Sequence, residues 1–473
     1  MDDHQSKRAT PSTSGTSTDT YRTFNPATGE LVKVFPTLAD AEADALLSRA
    51  DEAFSSWRSQ PVARRVELFL TLADLLDANL DRIARQVTID MGKPLAQSKM
   101  EAQLGPVILR YYAEHAETLL AGTDVALAGF SRVYTLREPI GVVVAIEPWN
   151  GPVYQAVRAI APNLMVGNTV ILKPAEIVAG TTLILDELFA EAGFPPSVYQ
   201  TALASREQIS SFIADPRVRA VTLTGSDRAG ASIGEQAGRN IKPVVLELGG
   251  SDAFIVLDSA DIAAASQMGA VCRLALGGQI CVSPKRVIVT EKVADEFIRQ
   301  YTEVFASQKV GDPFDPATTL GPLSSIEAAN ALQTQYQDAL DKGATVLLPG
   351  GRAEGAGAFF KPAVLTGITP DMRLYHEEAF GPLGLIFRVP DADAAIALAN
   401  DTKYGLGGTV YGQDLDEARR VAQALDTGMV GINQYLGAPI EIPFGGTKSS
   451  GVGRELGLSG MDAFSNIKTY AVA

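Results

Sequence analysis

Cysteine and histidine are scarce: the 473 residues include two of the first and three of the second. Two cysteines in a chain of this length make no disulfide scaffold, so a reducing, cytoplasmic setting is expected. His4, His115 and His376 stand far apart and offer no zinc-ligand spacing, so no metal site is expected. No apolar run is long enough to span a bilayer, and the N-terminus lacks the apolar core of a signal peptide, so no membrane role is expected. A surplus of positive charge is also missing. With a net charge of −15 there is no concentrated basic surface for a phosphate backbone, which argues against nucleic acid as a partner. What is present is ordinary for a globular protein: 46 % hydrophobic and 20 % charged residues, in a chain long enough for two or three domains with large cores.

Residues 1–20 are polar and rich in Ser and Thr, and read as a disordered tail. Asn25-Pro26 with Gly29 makes a turn. Apolar residues at three- and four-residue spacing then predict helices over 38–57, 62–79, 83–91 and 99–119. From Val133 the period changes. Val142-Val143-Val144-Ala145-Ile146 is a continuous apolar run, the mark of a strand buried on both faces. Strands are expected again at 169–172, 220–223 and 244–246, separated by helices at 181–191, 207–213 and 229–237. Such alternation means a parallel sheet covered on both faces, hence an α/β nucleotide-binding architecture. A second alternating set has strands at 254–257, 287–289, 345–348, 385–389, 408–411 and 430–433, with a boundary near Leu248-Gly249-Gly250.

The stretch Leu276-Gly277-Gly278-Gln279-Ile280-Cys281 puts a thiol on a glycine-loosened turn between a helix predicted over 262–276 and the strand at 287–289. Even the minor thiolate fraction of a free cysteine is a strong nucleophile; the blander alternative is a small buried hydrophobe. Several strand ends carry polar groups, where ligands of open α/β sheets bind. Pro148-Trp149-Asn150 could aim an amide at a developing oxyanion, or be a plain turn. Lys173-Pro174-Ala175-Glu176 could hold ribose hydroxyls, or open a helix at the surface. Thr224-Gly225-Ser226 starts a helix whose free N–H groups could hold a phosphate, though Gly225 and Gly230 do not complete a G-x-G-x-x-G fingerprint. Glu247 in Glu247-Leu248-Gly249-Gly250 could be a general base if burial raises its pKa, or an ordinary strand-end glutamate.

These motifs arrive in a characteristic order, continued by Glu377-Glu378-Ala379-Phe380-Gly381-Pro382, Pro443-Phe444-Gly445-Gly446 and Lys448-Ser449-Ser450-Gly451. In this the chain resembles the aldehyde dehydrogenase superfamily over essentially everything after the tail. The resemblance implies a Rossmann-type NAD-binding domain (21–122 and 141–247), an α/β catalytic domain (248–442) and a small β oligomerisation element (123–140 and 459–473), with 443–458 returning to the cofactor side. It implies that Cys281 attacks the aldehyde to give a thiohemiacetal held by the Asn150 amide and the Cys281 N–H, that hydride passes to the nicotinamide, and that Glu247 activates the water which hydrolyses the thioester. Glu455 matches a residue used in proton exit. Lys173 and Glu176 match ribose contacts, Ser226 with Gly225 a pyrophosphate contact, and Glu378 with Phe380 the nicotinamide side. Ile146, Pro148, Trp149, Leu248 and Gly249 match the walls of the cofactor cleft. A homodimer or homotetramer is implied, and NAD is favoured over NADP because Glu176 would repel a 2′-phosphate.

Within the superfamily the chain is most similar to the succinate-semialdehyde dehydrogenase group. Arg158 matches an arginine that holds a distal carboxylate there, through two parallel hydrogen bonds; the alternative is a surface helix arginine. Tyr154, Gly151, Ala438 and Phe444 complete the expected substrate contacts. Ala275, Ala438 and Leu276 depart from that group, and Gly151 replaces a bulky aromatic, which should widen the mouth unless Tyr154 or Tyr435 fills it. A broad aliphatic or aromatic aldehyde dehydrogenase is therefore the alternative. A CoA-acylating relative would commonly lack the glutamate matched by Glu247, and a non-catalytic binding protein would be expected to lose Cys281.

Overall fold

The structure, a computed structural model, describes residues 20–473, so the tail expected over 1–20 lies outside the described residues apart from Thr20. The first large sheet has six strands in the order Gly451–Val452, Val244–Glu247, Val218–Thr224, Val142–Glu147, Thr169–Pro174, Tyr199–Thr201. All pairs are parallel except the short Gly451–Val452 edge, which runs antiparallel to Val244–Glu247. From Val142–Glu147 the chain moves outward to one side, then returns to build the other side beginning with Val218–Thr224. The crevice beyond the carboxyl ends of those two neighbours is a topological switch point, where ligands of such sheets bind. Val142, Val143, Val144 and Ala145 are all fully buried, as a strand covered by helices on both faces must be.

The second sheet runs Thr345–Leu348, Ala363–Thr366, Leu383–Val389, Pro284–Thr290, Asp252–Val256, Gly407–Tyr411, Met429–Ile432. It is parallel throughout except at the Thr345–Leu348 edge. A third, antiparallel sheet of Ser465–Val472, Arg132–Pro139 and Thr123–Val125 joins the chain's last strand to a segment far earlier, with Tyr134 stacked on Tyr470 at 5.1 Å.

Local chemistry corrects several expected elements. The helix expected over 99–119 is three: Leu95–Ala102, Leu104–Glu114 and Ala116–Leu120. Pro106 has no N–H to continue a helix but suits a first turn, so a new helix starts just before it. The first expected helix begins at Asp40 rather than Leu38, whose N–H is taken by the Leu203 carbonyl. The helix expected over 262–276 ends at Leu274, because Leu276 turns left-handed with φ +50°. Tyr21–Phe24 pairs with Leu31–Phe35 as a hairpin around the expected turn, and the strands Tyr199–Thr201 and Ala363–Thr366 have no strong periodicity to announce them.

Candidate active site

Cys281 is presented by a turn that the surrounding structure over-determines. Leu276, Gly277 and Gly278 have φ of +50°, +65° and +75°, so three successive left-handed residues reverse the chain after the helix Ile262–Leu274. A Cβ on Gly278 would stand 2.3 Å from the Gly381 carbonyl oxygen, so only glycine lets these two loops meet. Buried Arg273 locks them together. Its guanidinium donates to the carbonyls of Gly278 (3.1 Å), Ala379 (2.7 Å), Gly381 (2.6 Å) and Leu383 (2.7 Å), and to Ser283 Oγ (2.9 Å). On the far side of the turn, the Leu276 N–H donates to Gln97 Oε1 at 2.9 Å. Lys285, also buried, donates through Nζ to the carbonyls of Ile280 (2.8 Å) and Cys281 (2.6 Å) and pairs with Glu378 Oε1 at 2.9 Å.

Asn150 arrives from the end of the strand Val142–Glu147. Its carbonyl accepts from Lys93 Nζ at 2.9 Å, and its Nδ2 donates to the Gln279 carbonyl at 3.0 Å. An amide nitrogen carries two protons, so one remains for a ligand. Lys93 lies 3.5 Å from Glu101 Oε2, while Glu101 Oε1 accepts the N–H groups of Val153 (2.9 Å) and Tyr154 (2.7 Å), capping the helix Pro152–Val166 that starts beside Asn150.

Two cavities meet at the thiol. One, of about 780 Å³, is lined mainly by apolar side chains and includes Tyr154, Gly151, Arg158, Ala438 and Phe444. Neither Tyr154 nor Tyr435 plugs it; both form wall, and the Tyr435 hydroxyl donates to the Val282 carbonyl at 3.1 Å. The other, of about 290 Å³, is lined by Pro148, Trp149, Gly225, Ser226, Leu248, Gly249, Glu378 and Phe380. Trp149 and Phe380 meet edge to face at 5.8 Å, and Ser226 caps the helix Asp227–Arg239 by accepting from the Ala229 N–H. Burial pushes the Cys281 thiol up to about 11, against the pull of the Lys285 and Arg158 charges. Buried Cys272 faces away, its sulfur against Met268, and burial raises it to about 12.

Not every expected residue reaches the cavities. Glu247 lines neither: it is buried, and a Cβ on Gly445 would stand 2.4 Å from its Oε1. Burial, then Glu455, raises its pKa well above the usual carboxylate value against the pull of Arg158 and Arg454. Glu455 lies behind the cavities, with its Oε2 2.6 Å from Arg158 Nε and its Oε1 accepting from Thr222 Oγ1 at 3.2 Å. Arg158 is a buried arginine on the cavity wall, not a surface one, lying over the Phe444 ring (4.8 Å) and beside Tyr154 (5.3 Å). Lys173 and Glu176 pair with each other at 2.7 Å beyond the smaller cavity, and Ile146 stands in the strand beside Lys173. Burial pushes Glu176 up, but Lys173 outweighs it and holds the carboxylate below its usual value. Sequence reasoning missed Arg273, Lys285, Lys93, Glu101 and Glu147. Only Arg273 gave a signal, as a charge inside the apolar run Ala270-Val271-Cys272-Arg273-Leu274.

The site's order along the chain has close parallels. Residues 13–470 match the Aldehyde dehydrogenase family. A succinate-semialdehyde dehydrogenase [NADP(+)] from Deinococcus radiodurans is 48 % identical over 460 residues, 97 % of this chain and 96 % of that one. Succinate-semialdehyde dehydrogenase [NADP(+)] 1 of Mycobacterium tuberculosis H37Rv is 44 % identical over 453 residues, 95 % of this chain and 99 % of that one. Among solved structures, succinic semialdehyde dehydrogenase from Streptococcus pyogenes in complex with NADP+ superposes with a TM-score of 0.93 at 40 % identity, covering 95 % of this chain and 99 % of that one. An oxidoreductase acting on the aldehyde group is what these matches share with the thiol at the meeting of two cavities, and the chain belongs to the aldehyde dehydrogenase family.

Proposed function

We propose that the enzyme oxidises a semialdehyde, with succinate semialdehyde the first to test, to the carboxylic acid using NAD(P). The observation that carries the chemistry is Cys281 at the junction of the two cavities with Asn150 beside it. The aldehyde enters the larger cavity and Cys281 Sγ adds to its carbonyl carbon. The free Asn150 amide proton and the Cys281 N–H stabilise the resulting oxyanion. The smaller cavity suits a nicotinamide dinucleotide: Trp149, Leu248 and Phe380 offer apolar faces, Glu378 a ribose acceptor, and the helix behind Ser226 its N–H groups for a pyrophosphate. When bound, that cofactor supplies the hydride acceptor. Glu247 reaches the thioester by rotating out from beside Gly445 and takes a proton from the attacking water, with Glu455 behind it as the way out. Lys173 and Glu176 hold the adenosine-side ribose, and Glu176 favours NAD, although the relatives named above carry NADP in their names.

The relatives' names support the semialdehyde. A second reading, a broad aliphatic or aromatic aldehyde dehydrogenase, is favoured by the large apolar cavity and by Arg158, whose charge is already met by Glu455. Segments 123–140 and 459–473 form the oligomerisation element of a homodimer or homotetramer; the open edge of the strand Ser465–Val472 supports this. Among the described residues no helix is long and apolar enough to cross a membrane, and we assign the enzyme to the cytoplasm. The test is initial rates for succinate semialdehyde, butyraldehyde and benzaldehyde with NAD and with NADP, in the presence and absence of CoA. Turnover of the carboxylate no better than butyraldehyde removes the semialdehyde reading, and a requirement for CoA removes hydrolysis.

A further inference from the structure

The sheet that carries Asn150 also carries an unused carboxylate. Ile146 stands opposite Leu223, and Thr224 opposite Glu247, across three adjacent parallel strands. Glu147, one residue beyond Ile146, therefore falls in a row with Thr224 and Glu247, and side chains at one register on neighbouring strands project to the same face. Arg158, from the helix Pro152–Val166, lies across that face. Its Nη2 donates to Thr224 Oγ1 at 3.0 Å and its Nε faces Glu455 Oε2 at 2.6 Å. Glu147 is 4 % exposed and Glu247 2 %, and none of their four carboxylate oxygens has a hydrogen bond of ordinary geometry. Such orphaned buried oxygens require a role.

The charges on this face do not balance. Three buried carboxylates, Glu147, Glu247 and Glu455, meet one buried guanidinium. The groups facing Glu147 are Glu455, Arg158, Thr224 and Glu247; those facing Glu247 are Glu455, Arg158 and Arg454, the last from the loop that follows the Gly451–Val452 strand, with Thr224 its neighbour in strand register. Arg158 is committed to Glu455 by the short contact, so a second and third negative charge in the same enclosure would be uncompensated. Like charges held together in low dielectric keep a proton between them. Burial, then Glu455, raises Glu147 well above the usual carboxylate value, with Arg158 and Thr224 opposing; burial and Glu455 raise Glu247 likewise, opposed there by Arg158 and Arg454.

We propose that Glu147 is a positioning residue for the water-activating base: in its resting place Glu247 shares one proton with Glu147 across the Thr224 hydroxyl. The inference rests on the hydrolytic role proposed above for Glu247. When Glu247 takes a proton from the attacking water, the water oxygen bonds the thioester carbon and the Cys281 sulfur leaves. Glu247 then rotates back beside Gly445 and the pair holds two protons; as the proton already on Glu147 is released, that on Glu247 passes through the Thr224 hydroxyl to Glu147, which restores an ionised base. Thr224 can serve because its oxygen accepts from Arg158 while its own proton is free to donate. From the cluster the proton leaves past Glu455 and Arg454, which line a small cavity on the outer side with Arg158.

Glu147→Gln tests this, since it keeps the shape and removes both the charge and the exchangeable carboxyl proton. Removing a like charge lowers the pKa of Glu247, so the acid limb of the kcat profile should move to lower pH, by about one unit. Glu147→Asp should move it back toward wild type. The burst of reduced cofactor, which precedes hydrolysis, should keep its amplitude. An acid limb unmoved in Glu147→Gln overturns the proposal, as does a drop in thermal midpoint with an unchanged profile, which would make Glu147 merely structural. If the glutamine variant does not fold, Glu147→Met is read by the same criteria. Wild-type enzyme with no hydrolytic turnover would instead overturn the proposed role of Glu247, so the two failures are distinguishable.

Discussion

Arg158 Nε lies 2.6 Å from Glu455 Oε2, with the two side chains 1 % and 7 % exposed. Burial alone would lower the arginine, but Glu455, aided by Tyr154 and the other carboxylates, holds it above its ordinary value. Removing one partner of such a pair strands the other in low dielectric. Arg158→Ala should therefore cost about 3–5 kcal/mol of stability, read as a lowered midpoint in denaturant. If Arg158 also grips a distal carboxylate, the variant should lose any preference for succinate semialdehyde over butyraldehyde while retaining the neutral substrate. A fully stable variant would contradict the pairing.

Cys281→Ala should abolish aldehyde oxidation and leave cofactor binding intact, because of its neighbours only Asn150 and Gln155 line both cavities with it. Cys272→Ala should retain activity and lose about 1–2 kcal/mol of stability at most. Steady-state rates and cofactor fluorescence titration check both, and an inactive but folded Cys272→Ala would move the reactive thiol.

Alkylation of free enzyme by iodoacetamide should report the Cys281 pKa of about 11. Only the thiolate reacts, so below that value the rate should rise about tenfold per pH unit. Lys285→Met removes a nearby cation that favours the thiolate and should shift the curve to still higher pH. A curve that levels off near neutrality would contradict the burial argument.

Glu247→Gln should give one burst of reduced cofactor and then stall, since thioester formation does not use this carboxylate. Rapid mixing followed by absorbance checks it; absence of a burst with ligand binding intact would assign Glu247 an earlier step, in activating Cys281.

Efficiency should be higher with NAD than with NADP, because Glu176 would accept from a 2′-hydroxyl and repel a 2′-phosphate. Glu176→Gln removes the repulsion and should raise kcat/KM for NADP by about tenfold, the effect of roughly 1.4 kcal/mol. Higher wild-type efficiency with NADP would show that Lys173, freed from Glu176, takes the phosphate.

Much of the fold was legible because it follows from period and run length. The apolar run at Val142 announced a doubly covered strand, and the alternation that follows announced a parallel sheet. The broken helices were less so: the periodicity of residues 99–119 survives each break, and only Pro106 marks one. At the site, motif order located the thiol and the amide but not their supports. Arg273 acts through five acceptors, four of them backbone carbonyls and three of those from the sequence-distant segment 379–383, and no side-chain pattern encodes a carbonyl's position. Arg158 looked like a free cation because its partner, Glu455, is nearly three hundred positions further along the chain. Glu147 was passed over because a strand-end glutamate before Pro-Trp-Asn is unremarkable until the strand register sets it beside Thr224.

The two cavities share only Asn150, Gln155 and Cys281. The wall of the larger one comes largely from 94–104, 271–276 and 435–438, segments that contribute nothing to the smaller. Variation in those segments can redraw what the enzyme accepts without touching how it is powered, and the reverse holds for the strand ends around Glu176 and Ser226. A lineage can therefore drift between aldehydes, or an engineer can retarget it by randomising the cavity-facing positions of those segments, while the three shared residues stay fixed as the hinge between two separately tunable halves.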